Sequence, residues 1–211
     1  MKKMKQRKPE TNPVTNPEFE IPSWTKISSL LLNLAKKIQK NGYKPDIIVG
    51  VSRGGWIPAR ILSDLLENPK LANVSTQFYV GIAKTEPEPT IIQPVSISVK
   101  DKKVLVVDDL ADSGKSLKIV KSHLKKLGTK EIKIATIYYK PWSIIIPHYY
   151  EKQTKNWIVF PWEQKETVRK ILEQTINQNE NRESVKEKLI SCGLNRKHVE
   201  QFIKEITEEK Q

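Results

Sequence analysis

The feature that most constrains this chain is the run Val104-Leu105-Val106-Val107, which leads without a break into Asp108-Asp109. A continuous apolar stretch of strand length is expected where both faces of a strand are covered, as in a parallel sheet between helices. Two acids at its end are then followed by Leu110-Ala111-Asp112-Ser113-Gly114-Lys115-Ser116, a turn of small and hydroxyl residues that opens a helix over Lys115–Leu127, stopped at Gly128. A second apolar run, Asp46-Ile47-Ile48-Val49-Gly50-Val51, behaves in the same way. It ends in Ser52-Arg53-Gly54-Gly55 and passes into a helix over Ile57–Leu66, where Pro58 is tolerated in the first turn. Strand-to-helix alternation of this kind predicts an α/β fold with a mainly parallel twisted sheet flanked by helices.

The rest of the pattern fits around these two units. Ser23 caps a helix whose apolar positions Ile27, Leu30, Leu31, Leu34, Ala35 and Ile38 fall at 3.6-residue spacing, with Gly42 as its stop. Strands are expected over 75–82, 95–99 and 132–138, with a mobile loop of three Pro over 83–94. Residues 1–20 are rich in Pro, Asn and Lys without apolar period and read as a disordered basic arm. Beyond Trp162 three helices are expected, over 164–178, 183–191 and 196–208, the last capped by Asn195 with Leu194 and Val199 stapling its entry. The chain thus divides into an arm (1–20), a main domain (21–163) and a C-terminal helical extension (164–211).

Charge and composition narrow the partners. The formal net charge is +13, which suits a polyanion, either nucleic acid or a heavily phosphorylated small molecule. The last 32 residues balance seven basic against seven acidic side chains, which disfavours nucleic acid as their partner. The longest apolar runs, such as Ile144-Ile145-Ile146, are far too short to span a bilayer, and the basic N-terminus lacks the apolar stretch of a signal peptide. No membrane association and a cytoplasmic address are expected. Cys192 is the only thiol and is read as a buried helix residue. His123, His148 and His198 have no metal-ligand spacing and are given structural or surface roles.

Ligands of open parallel sheets bind beyond the carboxyl ends of the strands. At the first such end, Gly54 and Gly55 let backbone N–H groups crowd an anion and Arg53 adds a fork of donors; the same residues also read as a turn that simply needs glycine. At the second, Ser113, Ser116 and the loop amides suit a terminal phosphate. Asp108 and Asp109 sit too close to phosphate to be comfortable unless they hold sugar hydroxyls or a bound Mg²⁺. Gly114-Lys115-Ser116 imitates the end of a Walker A loop, but that motif requires Gly at position 109, which is Asp.

The segment Val104–Leu117 resembles the 5-phosphoribosyl-1-diphosphate (PRPP) binding signature of type I phosphoribosyltransferases, with Ser113 and Ser116 standing where that signature has Thr. Arg53-Gly54-Gly55 is similar to the family's diphosphate loop. Tyr138-Tyr139-Lys140-Pro141 and the segment from Trp157 to Glu163 resemble base-recognition elements of 6-oxopurine (xanthine, guanine, hypoxanthine) members, particularly archaeal ones. The resemblance covers about Ile21 to Glu163. It implies the type I phosphoribosyltransferase fold with a small hood region, and an Mg²⁺-dependent transferase of purine salvage that joins PRPP to N9 of a 6-oxopurine and releases a nucleoside monophosphate and diphosphate. It further implies Ser52, Arg53, Gly54 and Gly55 as the diphosphate loop, Asp108 and Asp109 on ribose or Mg²⁺, and Ala111, Asp112, Ser113, Gly114, Lys115 and Ser116 around the 5′-phosphate. Asp112 would be the general acid/base near purine N7. Lys140 would donate to O6, Trp157 would lie on the purine face and the Ile158 backbone would read its edge. Residues 83–94 match the family's catalytic lid, with Lys84 and Thr85 as candidate diphosphate contacts. Family members are commonly homodimers. The competing readings are a PRPP-sensing nucleic-acid-binding regulator on the same fold, and a transferase acting on adenine, orotate or uracil.

Overall fold

The computed structural model describes residues 18–68, 70–79, 88–177 and 182–209. The elements in chain order are β1 (Phe19–Glu20), α1 (Trp24–Lys40), β2 (Ile47–Ser52), α2 (Trp56–Leu65), β3 (Leu71–Tyr79), β4 (Glu88–Gln93), β5 (Lys103–Ala111), α3 (Lys115–Lys126), β6 (Glu131–Tyr139), β7 (Tyr149–Gln153), β8 (Trp157–Ile158), α4 (Gln164–Asn177), α5 (Arg182–Ser191) and α6 (Arg196–Glu208). They form two compact units, one of Pro22–Lys155 and one that joins the chain before Pro22 to the chain from Asn156 onward.

The first unit is the α/β domain that the two apolar runs predict. Its six strands lie in the order β4-β3-β2-β5-β6-β7, parallel throughout except for β4. β2 and β5 are central because their uninterrupted apolar sequences can be covered on both faces. One side buries Ile47, Val49, Val51, Val104 and Val106 together with Leu117, Val120 and Leu124 of α3. The apolar stripe of α1 is buried as its spacing predicts, and Ser23 caps the helix by accepting from Lys26 N–H at 3.1 Å. Each large side chain so buried contributes roughly 1.5–3 kcal/mol relative to exposure.

Several boundaries differ from those the sequence predicts. The expected loop over 83–94 ends in β4, which runs antiparallel to β3 from Tyr79↔Glu88 to Ser75↔Gln93. Pro89 hides this strand from pattern reading, yet an edge position tolerates a residue that cannot donate to the ladder. The expected strand over 95–99 is irregular backbone. Val99 is buried and Val95 packs on the core, so its alternation records burial without ladder pairing. β3 begins at Leu71, earlier than expected, because Leu71 to Ser75 pair with Ile48 to Ser52. β7 escapes the sequence because Tyr149-Tyr150-Glu151-Lys152-Gln153 has no branched apolar residue. His148, just before it, accepts Ile134 N–H on Nδ1 at 2.9 Å, and burial lowers its pKa so that the neutral, accepting form is favoured.

In the second unit β1 pairs with β8 in parallel register, Phe19↔Trp157 and Glu20↔Ile158, so two residues assigned to the arm are ordered strand; the remainder of the arm lies outside the described residues. The three predicted helices α4, α5 and α6 are present and enclose Val159, Val168, Leu172, Val185, Leu189, Leu194, Val199 and Ile206. Asn195 caps α6 by accepting His198 N–H at 3.3 Å. Cys192 lies one residue past α5 and is only partly buried, a correction to its reading as a core helix residue. No helix among the described residues is long and apolar enough to cross a membrane.

Candidate active site

The chain leaves β2 toward β3 on one side of the sheet and leaves β5 toward β6 on the other, so the strand order reverses between β2 and β5. A crevice at such a switch point, beyond the carboxyl ends of the strands, is where open α/β sheets bind ligands. Both motifs singled out in the sequence end there: Ser52-Arg53-Gly54-Gly55 after β2, and Asp108 to Ser116 at the end of β5.

The two strand ends touch through glycine. A Cβ on Gly55 would meet Val107 O at 2.5 Å, Val51 O at 2.7 Å and Asp108 Cα at 2.8 Å, so only a residue without a side chain fits between the two backbones. A Cβ on Gly54 would stand 2.0 Å from Asp109 Oδ2, which shows the Asp109 carboxylate lying directly over that loop. Gly55 N–H donates to Val51 O at 2.9 Å. Its amide therefore also holds the turn. Arg53 is exposed at the mouth of the loop, and Ser52 Oγ accepts from Asn73 Nδ2 of β3 at 3.3 Å.

Asp108 and Asp109 are both partly buried. Burial, reinforced by the neighbouring Asp109 carboxylate, pushes Asp108 well above the usual carboxylate range, although Asp109 N–H donates to Asp108 Oδ1 at 3.0 Å and opposes the shift. A carboxylate pair under this tension gains from a cation or from hydroxyl donors. Among the described residues no cluster of three or more metal-ligating side chains exists. Mg²⁺ keeps several waters and takes one or two carboxylates plus substrate oxygens, so these two hard-oxygen donors fit Mg²⁺ shared with a phosphorylated substrate.

Beyond the acids, Gly114 takes φ +75° at the N-cap of α3, a left-handed turn that glycine adopts without strain. Ser113 Oγ accepts Lys115 N–H at 3.3 Å, and the start of α3 is the positive dipole end of the helix, which suits an anion. Lys115 Nζ lies 3.8 Å from Glu88 of β4, which gives it a role in tying the helix start to the sheet edge besides the phosphate attraction its position suggests. Asp112 is exposed.

Lys140, directly after β6, is 4% exposed, unusual for a residue that is almost never fully buried. Its backbone N–H donates to Ala111 O at 3.0 Å, which sets it beside the phosphate-type turn. Sequence reasoning missed Trp142, two residues on: its Nε1–H donates to Asp112 Oδ1 at 3.0 Å, and Lys140 Nζ lies 5.3 Å from its ring centroid. The Lys140-Pro141-Trp142-Ser143 tetrapeptide, with Pro at the second position of a turn, was its only available signal. Trp157 and Ile158 belong to the second unit on β8; Trp157 is 50% exposed, which rules out a core role, and Ile158 is buried. Lys84 and Thr85 lie outside the described residues.

Comparison with known proteins places this geometry. A family model described as "Phosphoribosyl transferase domain" matches residues 20–182. The chain is 34% identical over 118 residues (55% of this chain, 67% of the relative) to a xanthine-guanine phosphoribosyltransferase of Gluconobacter oxydans. It is 31% identical over 149 residues (67% of this chain, 84% of the relative) to the enzyme of that name from Cereibacter sphaeroides. Among solved structures it is similar to a purine phosphoribosyltransferase from Pyrococcus horikoshii Ot3, with 43% identity and a TM-score of 0.64, covering 70% of this chain and 95% of that one.

Proposed function

Because this chain belongs to the phosphoribosyltransferase family, we propose that it transfers the 5-phosphoribosyl group of PRPP to N9 of a 6-oxopurine, releasing diphosphate and a nucleoside monophosphate in purine salvage. The relatives named for xanthine and guanine, and the purine enzyme at 43% identity, support the choice of base. The observation that carries it is the buried Lys140 with its backbone bonded to Ala111 of the phosphate-type turn. An ammonium, which can only donate, is thereby held next to the sugar-phosphate cradle, where an exocyclic oxygen suits it and the amino group of adenine does not.

In the proposed mechanism the C1–O bond to diphosphate breaks as N9 bonds to C1, with positive charge developing on the sugar ring. The α3 start and Ser113 hold the 5′-phosphate, Asp108 and Asp109 hold the ribose hydroxyls, and Arg53 faces the departing diphosphate. Mg²⁺, held through the same two carboxylates and substrate oxygens, would supply charge neutralisation for the leaving group. Asp112 takes up the proton that the purine loses as N9 bonds to C1 and passes it to solvent or to the departing diphosphate. No specific observation favours the regulator reading: in the helical unit Arg196 forks onto Glu187 at 2.9 and 3.1 Å, and Lys165 and Arg169 pair with Glu205 and Glu209, so these cations are matched within the protein.

Purified protein supplied with PRPP, Mg²⁺ and five bases should release diphosphate with hypoxanthine, guanine or xanthine. Turnover confined to adenine, orotate or uracil would overturn the base assignment, and none with any base would overturn the activity. Lys140→Ala should raise the KM for the 6-oxopurine by about 10- to 100-fold, the equivalent of a lost hydrogen bond to a charged group, and relax rejection of adenine. Steady-state kinetics with both bases reads the effect, and unchanged preference removes Lys140 from the base site.

A further inference from the structure

We propose that Trp142 is the positioning residue of this site, orienting Asp112 through its indole N–H while its ring seats the Lys140 ammonium. The inference rests on the reading of Asp112 as the proton-handling group. Three links join the segment after β6 to the turn after β5, in matched order. Lys140 N–H donates to Ala111 O, Trp142 Nε1–H to Asp112 Oδ1, and Ile144 N–H to Ser113 O, each at 3.0 Å. Two of these links are backbone. The middle one is made by a side chain and falls on the one residue of the turn to which chemistry is assigned.

The sequence sets up that contact. Pro141 pre-forms a turn closed by Ser143 N–H to Lys140 O at 3.0 Å, and Ser143 Oγ donates to Ile145 O at 3.0 Å. A Cβ on Gly114 would meet Ser143 Oγ at 2.6 Å and Ile145 N at 2.8 Å, so this segment packs hard against the start of α3. Packing does not account for the indole itself, since Trp142 is 52% exposed. Its polar handle and its π face are instead both engaged, one by a carboxylate and the other by a cation.

The physical effect follows from the charges. Asp112 is exposed, so packing does not lock its rotamer; the indole N–H holds it through Oδ1. The same ring holds the Lys140 cation at a set height beside that carboxylate, so the proton acceptor and the O6 donor share one support.

Trp142→Phe keeps the ring under Lys140 and deletes the N–H. It should lower kcat by about 3- to 30-fold, the range expected for a partly solvated hydrogen bond to a charged group, with the KM for purine and for PRPP little changed. Trp142→Leu should add a rise in purine KM. In an Asp112→Asn background, Trp142→Phe should cost nothing further in kcat, since the group it positions is gone. An unchanged kcat in Trp142→Phe, additive losses in the double variant, or a faster enzyme with lower purine KM would each overturn the assignment. If Asp112→Asn alone turns over like the wild type, the acid/base reading fails; if Asp112→Asn is slow and Trp142→Phe is not, only the role of Trp142 fails.

Discussion

Asp112→Asn is expected to slow turnover by about 10²- to 10⁴-fold, the usual contribution of a positioned acid/base, with the KM for PRPP nearly unchanged. Asn keeps the shape of the side chain and can still receive the Trp142 indole N–H on its amide oxygen, so the geometry of the turn survives. What is lost is the ability to take up a proton. An interaction that matters only in the transition state lowers kcat and kcat/KM together and leaves ground-state binding alone. Kinetics with PRPP and the base varied independently separates the two, and wild-type turnover would take Asp112 out of the chemistry.

The second large effect comes from two adjacent glycines with opposite expected outcomes. Gly55→Ala places a methyl group 2.5 to 2.8 Å from backbone atoms of β2 and β5, which cannot yield without parting the two central strands. Overpacking of this kind costs about 1–3 kcal/mol or more, and thermal melting should show Tm lowered by several degrees. The atoms nearest a Gly54→Ala methyl group are those of the movable Asp109 carboxylate. The fold should stand with Tm near that of the wild type, while the displaced carboxylate lowers kcat/KM for PRPP by about 10²-fold, the scale of an ångström-level misplacement. Full PRPP kinetics in Gly54→Ala, or an unshifted Tm in Gly55→Ala, would show that the close approach is not what these positions demand.

Sequence patterning served best where burial is two-sided. β2 and β5 are solid apolar runs, and the turns that follow them break that pattern abruptly, so fold class and the two halves of the candidate site could both be located before any coordinates. Patterning failed at the sheet margins. β4 carries Pro89 and β7 carries polar and aromatic residues, because edge strands are half solvated and tolerate both. Within the candidate site, the family resemblance points to Asp112 and Lys140 but not to their common neighbour Trp142. That contact is made across 30 residues of sequence by an exposed side chain, and neither periodicity nor composition encodes such a meeting. Gly55 shows another limit of patterning: nothing in its neighbours tells that its amide closes on Val51 O and that its missing side chain lets two strands approach.

The backbone links between the segment after β6 and the turn after β5 have an outcome for how a nucleotide is measured. Ala111 and Ser113 of the phosphate-type turn are fastened to Lys140 and Ile144, so in the proposed function the cradle for one extremity of the ligand and the group that inspects the other belong to a single stiff frame. Such a frame acts as a gauge of fixed span: a molecule is judged by the separation of its two ends as well as by the identity of each.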